Sequence, residues 1–305
     1  QRQFIQSSKK FPLYAGGWGS GKTISGAMRS ILLSIWYPRN RGLVARMTSP
    51  ELKKTSMKEL LEFPVTIDGK EYAFGGSPLI ERFNRQDGEL KLTRSAGGST
   101  IYFTHLDDAQ WKQRGINIAW VWLDELTEVP EETWVWLDGR CRFIPPCSKC
   151  NKKLSGVTVC PDCKITVVKH TMFGTTNPEG HDWVWKKWLA QSEPDYETII
   201  ATTSENYHLP ENYESGLRNR MPKEWCDRYL DASFDSYSGL IYSDFRDKEP
   251  HVIEGFEIPN SWYRFIGVDY GYKNPTCVLW GAVDHKGTLY IYNEVYQSGM
   301  RVSDI

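Results

Sequence analysis

The chain has 305 residues, 40% of them hydrophobic, which is enough for about two domains with a core each. Its formal net charge is −1, so nucleic-acid binding cannot be argued from the overall charge and would have to come from local patches. No stretch approaches the ~18 consecutive apolar residues of a membrane span, and we expect no membrane partner. The opening residues lack the pattern of a signal peptide, and we expect the natural chain to begin further upstream.

The first motif in the chain is a phosphate-binding loop. Residues 16–23 read Gly-Gly-Trp-Gly-Ser-Gly-Lys-Thr, a complete G-x-x-x-x-G-K-[ST] pattern, between a predicted strand over 11–15 and a predicted helix over 24–36. A glycine turn with a chance Lys-Thr is the alternative. In a phosphate loop, backbone N–H groups and the lysine hold phosphate oxygens, and the final hydroxyl binds Mg²⁺. We therefore predict that ATP and Mg²⁺ bind at Gly16, Gly17, Trp18, Gly19, Ser20, Gly21, Lys22 and Thr23.

Two carboxylates that suit an ATP site follow an apolar run about a hundred residues later. Residues 118–123 predict a buried parallel strand, and Asp124 and Glu125 come directly after it. Ligands of open α/β sheets bind at the carboxyl ends of the strands. We expect Asp124 to hold Mg²⁺ through water and Glu125 to orient or deprotonate the attacking water. The alternative is a strand that ends in an acidic turn.

Polar residues and arginines nearby could complete such a site. A strand predicted over 167–174 precedes Thr175-Thr176-Asn177-Pro178, which could sense the γ-phosphate or form an ordinary Asn-Pro turn. Transition-state charge in phosphoryl transfer usually needs an arginine. The candidates on either side of the acidic strand are Arg114, Arg140 and Arg142.

Strands and helices alternate from Gly16 to about residue 203. Further strands are predicted over 43–48, 100–104 and 198–203, and helices over 50–62 and 130–137. This alternation predicts an α/β fold of the P-loop NTPase type, with a parallel sheet covered by helices on both faces.

Four of the seven cysteines form two C-x₂-C pairs, with nine residues between the pairs. This spacing predicts a structural Zn²⁺ site at Cys147, Cys150, Cys160 and Cys163, with no open position for catalysis. Disulfides or free thiols are the alternatives. Four lysines make the segment basic, so it could contact DNA or a partner, or be a solvated loop; they are Lys149, Lys152, Lys153 and Lys164.

The last part of the chain predicts a short antiparallel sheet. A strand over 263–269 carries Asp269, and strands over 277–283 and 288–295 follow. This order is how an RNase H-like nuclease domain opens, and two-metal cleavage of DNA needs several carboxylates around Mg²⁺ or Mn²⁺. Asp269 is the first candidate and Glu294 a weaker one. A turn residue at the end of a strand is the alternative for Asp269.

The order of these motifs resembles the large terminase subunit of tailed bacteriophages. The resemblance implies an ATP-driven motor that packages double-stranded viral DNA into procapsids, and a metal-dependent endonuclease that cuts concatemeric DNA. It also implies a ring of identical subunits when assembled, a monomer when free, and contacts with the portal protein and the small terminase subunit. Such a protein would act in the host cytoplasm and be absent from the mature virion.

The resemblance also assigns residues. Arg114-Gly115 matches the Arg-Gly before the acidic strand of the family, which implies that Arg114 reaches the ATP of a neighbouring subunit. Gln3, or Gln1, stands where the family has an adenine-contacting glutamine. Residues 175–177 match the coupling motif, with Asn177 near the nucleotide. Trp18 is a departure, because many relatives have arginine there; the cysteine insertion occurs in some relatives only.

We therefore expect an ATPase domain over 1–203 with a zinc insertion over 145–166, a linker over 204–258 and the start of a nuclease domain over 259–305. Further nuclease carboxylates would fall beyond residue 305.

Two other functions are alternatives to a packaging motor. A helicase-type DNA translocase needs a second domain of similar type, and the sequence contains none. A zinc-bearing DNA-binding module with a vestigial ATP site needs no hydrolysis.

Overall fold

A computed structural model describes residues 1–107, 115–191, 193–235, 249–271 and 275–301. The chain divides into two compact units, Gln1–Leu240 and Ile241–Ile305. The division falls inside the predicted linker over 204–258, so the first part of that segment packs with the phosphate loop. No helix in the described ranges is long and apolar enough to cross a membrane.

The first unit is built around one eight-stranded sheet. Its strands are β1 (Phe11–Gly16), β2 (Arg41–Arg46), β5 (Ile80–Asn84), β6 (Glu89–Leu92), β7 (Thr100–His105), β8 (Trp120–Asp124), β9 (Thr171–Thr176) and β10 (Tyr196–Ala201). Their order is β10-β1-β9-β8-β2-β7-β6-β5. A separate hairpin pairs β3 (Pro64–Ile67) with β4 (Lys70–Ala73). The sheet thus inserts β9 between the strand of the phosphate loop and the strand of the two acids.

The helices of the first unit are mostly short. They are α1 (Arg2–Gln6), α2 (Lys22–Trp36), α3 (Ser49–Lys54), α4 (Ser56–Glu62), α5 (Glu131–Arg140), α6 (Trp183–Trp185), α7 (Tyr213–Arg218) and α8 (Lys223–Tyr229). A π-helical turn, Lys186–Ala190, continues α6. Short 3₁₀ turns are Phe74–Gly76, Leu126–Glu128 and Thr203–Glu205.

Alternating side chains of the central strands form two separate cores, one on each face of the sheet. On one face, Trp120 and Trp122 pack with residues of α1, α2 and α4. On the other face, Val121 and Leu123 pack with residues of α5 and the 183–190 segment. Because side chains of a strand alternate between faces, this fully apolar strand is buried from both sides. Helices on both faces of the sheet are therefore confirmed.

Several sequence predictions of the elements need correction. The sheet is mixed rather than all parallel, because β5 and β6 pair antiparallel and were not predicted. The single helix predicted over 50–62 is two helices, α3 and α4, since Thr55 between them has φ −119° and ψ −92°. The strand predicted over 167–174 is shifted, so that Thr175 and Thr176 lie inside β9 rather than after it.

The second unit contains three antiparallel strands, as the sequence predicts. They are β11 (Tyr263–Asp269), β12 (Thr276–Val283) and β13 (Leu289–Gln297), in the order β11-β12-β13. A three-stranded antiparallel sheet is common to many folds. The RNase H-like character of this unit therefore stays a prediction.

Candidate nucleotide-binding site

The phosphate loop joins the buried strand β1 to the first turn of α2. Lys22 begins α2 and is only 9% exposed. Its Nζ lies 3.7 Å from Oε1 of Glu125. Gly21 just before it has φ +83°, a left-handed conformation that glycine adopts without strain. The predicted loop and the predicted catalytic acid therefore lie side by side.

Asp124 is the last residue of β8 and is 1% exposed. Its two carboxylate oxygens accept hydrogen bonds from different hydroxyls, Ser56 Oγ at 2.6 Å and Thr175 Oγ1 at 2.7 Å. The indole Nε1 of Trp122 donates to Thr175 Oγ1 at 2.8 Å. These bonds fix the orientation of a buried carboxylate that would otherwise be costly to desolvate.

Ser56 was not predicted from the sequence. It begins α4, directly after the break at Thr55, and the break allows its hydroxyl to reach Asp124. A single serine in a predicted helix does not indicate such a role. The pair Thr55-Ser56 in the middle of the predicted helix does indicate a break there, because both residue types favour helix starts over helix interiors.

Glu125 has a left-handed backbone, with φ 53° and ψ 60°, which is uncommon for residues other than glycine. Its Oε2 accepts a hydrogen bond from the backbone N–H of Asn177 at 3.2 Å. Burial raises the pKa of the Glu125 carboxyl, while the nearby Lys22 ammonium opposes this and the Asp124 charge adds to it. The acid is thus held in a strained, desolvated position next to the phosphate loop.

Arg46 is a second cation near Glu125, and no sequence motif indicated it. Arg46 is the last residue of β2. Its Nη1 donates to Thr55 Oγ1 at 2.7 Å, and its Nη2 lies 3.9 Å from Oε1 of Glu128. Its charge lowers the pKa of Glu125 and so counteracts part of the effect of burial. The strand predicted over 43–48 contains Arg46 in its interior, whereas β2 ends at Arg46, on the side of the sheet where ligands of such folds bind.

The coupling motif connects the two sides of the site. The side-chain amide of Asn177 donates to the carbonyl of Gly16 at 2.9 Å, while its backbone N–H contacts Glu125. The hydroxyls of Thr176 and Thr127 lie 2.8 Å apart. Asn177 therefore touches both the phosphate loop and the predicted catalytic acid Glu125, and its place near the nucleotide stays a prediction.

The segment after β10 packs on the outside of the phosphate loop. The ring of Trp18 stacks on Tyr229 of α8, with the ring centroids 4.6 Å apart, and its backbone N–H donates to the Tyr229 carbonyl at 2.6 Å. Thr203 Oγ1 donates to the Trp18 carbonyl at 2.8 Å. Asn206 Nδ2 donates to the Gly19 carbonyl. Trp18 therefore serves as a packing residue between the phosphate loop and this segment.

Of the two glutamine candidates, Gln1 is the one that touches the phosphate loop. Its Nε2 donates to the Ser20 carbonyl at 3.3 Å. Gln3 instead donates to Oε1 of Glu197 on β10 at 3.0 Å. The structure thus favours Gln1 over Gln3 for a role beside the nucleotide. A contact of either glutamine with adenine stays a prediction.

Arg114 lies outside the described residues, so its proposed role stays a prediction. The other two candidates lie away from the carboxylates. The Arg140 guanidinium lies over the ring of Trp136, and Arg142 Nε donates to Asn117 Oδ1 at 3.0 Å. A bridge from Cys141 to Ile118, before β8 begins, places both arginines near the opposite end of that strand from Asp124.

The four cysteines of the C-x₂-C pairs converge. Their Sγ atoms all lie within 4.8 Å of one another, and those of Cys150 and Cys160 are 3.7 Å apart. Tetrahedral zinc with Zn–S bonds of about 2.3 Å would separate the sulfurs by about 3.8 Å. Cys147 and Cys160 form a small core with Ala119, which precedes β8. The cluster therefore fits a structural zinc near the amino end of β8, whereas the phosphate loop follows the carboxyl end of the parallel strand β1.

In the second unit, Asp269 and Glu294 lie on the same face of the three-stranded sheet. Asp269 is opposite Cys277, and Glu294 is opposite Leu279, two residues further along β12. Ideal strand spacing then separates their Cα atoms by about 12 Å. At this separation the two carboxylates could belong to one metal site only if further ligands lay between them, so their role stays a prediction.

Comparisons with known proteins agree with this geometry. Residues 13–142 match the family model of the terminase large subunit, T4likevirus-type, N-terminal. The chain is 25% identical to the PBSX phage terminase large subunit of Bacillus subtilis (strain 168), across 95% of this chain and 65% of that protein. It therefore spans about two thirds of the length of this relative.

Solved structures show the same fold. The large terminase of a thermophilic bacteriophage gives a TM-score of 0.57 at 18% identity, over 98% of this chain and 68% of that one. The ATPase domain of the Thermus phage P74-26 large terminase gives 0.51 at 15% identity, over 76% of this chain and 92% of that one. The chain therefore has the fold of these large terminases, and residues 13–142 are similar to the terminase large subunit family model.

Proposed function

We propose that this chain supplies the ATP-hydrolysing part of a motor that moves double-stranded DNA into viral procapsids. The convergence of Lys22, Asp124, Glu125 and Asn177 at one edge of the sheet carries the proposal. The large terminase of the thermophilic bacteriophage, which has this fold, has been solved in complex with ADP and with ATP-gamma-S. Phosphoryl transfer is mostly positioning and charge stabilisation, which is what these residues offer.

Each residue of the site has a separate task in this proposal. Loop N–H groups and Lys22 bind the phosphates, so the Lys22 ammonium moves from Glu125 towards the nucleotide. Glu125, buried and fixed by the Asn177 N–H, then orients the attacking water and accepts its proton. Thr23 and Asp124 would hold Mg²⁺, which supplies positive charge to the phosphates; the hydroxyl bonds leave Asp124 lone pairs for its water ligands.

Mg²⁺-dependent ATP hydrolysis tests the proposal, with and without DNA, portal and capsid. Lys22→Ala and Glu125→Gln should each lower turnover by at least about a hundredfold. The exposed pair Lys58 and Glu62 offers matched controls, and Lys58→Ala and Glu62→Gln should leave turnover unchanged. No turnover in the wild type with portal and capsid present would overturn the motor and favour a zinc-bearing DNA-binding module.

Arg114 is proposed to act on the ATP of a neighbouring subunit in a ring. The test uses full-length protein, with Glu125→Ala and Arg114→Ala each inactive by itself. Mixing the two variants should restore part of the capsid-stimulated hydrolysis, because some interfaces then combine an intact Glu125 with an intact Arg114. Absence of any restoration would assign the arginine role to another residue.

The cysteine cluster is proposed to bind one structural Zn²⁺. The distances among the four sulfurs support this assignment, as does the packing of the cluster against Ala119 and Val167. Elemental analysis should give one zinc per chain. Cys147→Ser together with Cys160→Ser should abolish the bound metal, and retention of zinc in that variant would contradict the assignment.

The second unit is proposed to begin a nuclease that uses Mg²⁺ or Mn²⁺ bound in part by Asp269. Asp269→Asn in the full-length protein should abolish cleavage of DNA without affecting ATP hydrolysis.

We also propose that the protein assembles into a homo-oligomeric ring and that its partners are the portal protein and the small terminase subunit. The host cytoplasm is the proposed location.

A further inference from the structure

Arg29 is a buried cation that the proposed mechanism does not use. It lies two turns along α2 from Lys22 and is 1% exposed. Burial lowers the pKa of its guanidinium to about 10, which leaves it charged at neutral pH. The guanidinium carbon lies 5.6 Å from the ring centroid of Phe4 and 5.1 Å from that of Phe173. A buried charge is expensive unless its hydrogen bonds are satisfied, so its partners indicate its role.

Those partners are mainly backbone carbonyls around the end of α1. Nη1 donates to the Phe4 carbonyl at 2.6 Å and to the Ile5 carbonyl at 2.9 Å, and Nη2 donates to the Ser7 carbonyl at 3.2 Å. A helix of five residues is not stable by itself in water. Arg29 therefore ties α1 to α2 through bonds that only a planar, forked donor can make at once.

Neighbouring groups reinforce the same attachment. Lys169 Nζ donates to the Ser7 carbonyl at 2.7 Å, and the Ser7 hydroxyl bonds to Glu197. Phe4 is fully buried against Tyr14 and Phe173. The attachment of α1 thus involves α2, β9 and β10, with Arg29 at its centre.

The other end of α1 lies on the phosphate loop. Gln1 is the residue before α1, and its Nε2 donates to the Ser20 carbonyl, which also accepts from the Tyr14 hydroxyl at 3.0 Å. A Cβ atom added to Gly21 would lie 2.1 Å from Gln1 Nε2, so the amide is seated directly on that glycine. Ser20 and Gly21 immediately precede Lys22.

We propose that Arg29 is a positioning residue for nucleotide binding, acting through α1 and Gln1 on the Ser20–Gly21 part of the phosphate loop. The inference rests on the proposed ATP site. Because the loop is shaped before the nucleotide arrives, the binding free energy is not spent on ordering it. Loss of Arg29 should release α1, remove Gln1 from the loop and weaken nucleotide binding without removing any atom that touches phosphate.

The test measures the Kd of MgADP, by calorimetry, for the wild type and for Arg29→Met, Arg29→Lys and Gln1→Ala. Each change should raise the Kd by about tenfold, and the double variant Arg29→Met/Gln1→Ala should be no weaker than Arg29→Met, because both act on one connection. Amide hydrogen exchange of residues 4–7 should speed up in both Arg29 variants.

Controls separate positioning from general destabilisation. Ile31→Ala removes a buried side chain of the same helix and should lower the melting temperature while leaving the Kd unchanged. If Arg29→Met does not fold, Arg29→Lys and Gln1→Ala still decide the question. An unchanged Kd in Gln1→Ala, or additive effects in the double variant, would overturn the inference. Failure of wild-type binding, with Lys22→Ala no different, would instead overturn the proposed ATP site.

Discussion

Asp124 depends on two hydroxyls that come from different elements, Ser56 of α4 and Thr175 of β9. Groups that orient a metal ligand typically contribute 10–100-fold to affinity or activity. The carboxylate is nearly fully buried, so the loss of either hydroxyl leaves an oxygen without its donor.

We therefore expect Ser56→Ala to lower kcat for ATP hydrolysis by about tenfold at low Mg²⁺, and higher Mg²⁺ should restore part of the loss. Ser30→Ala is a matched control, because Ser30 is equally buried but its hydroxyl donates only to the Gly26 carbonyl of its own helix. Steady-state kinetics over a range of Mg²⁺ concentrations measures kcat for both variants. Equal kcat in Ser56→Ala and the wild type at every Mg²⁺ concentration would contradict the role of Ser56.

Lys169 provides a prediction on the pH dependence of stability. Burial lowers the pKa of its ammonium from 10.5 to about 8 in the folded state. Between these two values the unfolded chain binds more protons, so this residue makes the free energy of unfolding rise with pH. Below about pH 8 both states are protonated and the contribution is constant. Lys169→Met should remove this rise, whereas the exposed-site control Lys58→Met should keep it, in urea unfolding across the window.

At the scale of elements, the position of α2 depends on its close approach to the sheet. Gly26 of α2 faces β8, and a Cβ atom there would lie 2.3 Å from a ring atom of Trp122. An added Cβ at Gly139 of α5 would have no atom of the described residues within 4 Å, apart from its chain neighbours and the backbone of its own helix. The two helical glycines thus differ in their surroundings: one is required by close packing, and the other has open space.

Gly26→Ala should therefore destabilise the fold by about 1–3 kcal/mol, because the indole or the helix must move. Gly139→Ala should stabilise it by up to about 1 kcal/mol, since alanine is the better helix former. Urea unfolding of the two variants measures both changes. Destabilisation of similar size in both would contradict the packing argument.

The cysteine knuckle lies between α5 and β9 and packs on the residue that precedes β8. Removal of zinc should therefore lower the melting temperature of the first unit and reduce ATP hydrolysis only indirectly, since the cluster packs at the amino end of β8 and Asp124 lies at its carboxyl end. Thermal unfolding with and without a chelator checks this. A loss of hydrolysis with no loss of stability would contradict a purely structural metal.

At the scale of the whole molecule, the first unit contains every residue of the proposed ATP site that the structure describes. A fragment of residues 1–235 should therefore fold in one cooperative transition and bind MgADP with the Kd of the full chain. Circular dichroism and calorimetry check this. Loss of binding in a folded fragment would place part of the site in the second unit.

The sequence by itself determined the phosphate loop, the acidic strand, the cysteine pairs and most central strands. These are local patterns, because backbone chemistry, strand alternation and metal-ligand spacing act over a few residues. A resemblance to the large terminase family was also apparent from the order of the motifs. The antiparallel strands β5 and β6 were missed because they have only five and four residues, although β6 does alternate polar side chains with the buried Leu90 and Leu92.

Only the tertiary structure decided which groups meet. Ser56 reaches Asp124 because α3 breaks from α4, and Gln1 rather than Gln3 reaches the loop because Arg29 fixes α1. Arg46 stands near Glu125 because β2 and β8 are neighbours in the sheet. Such contacts join residues that are distant in the chain, and they depend on strand order and helix packing, which no local pattern specifies.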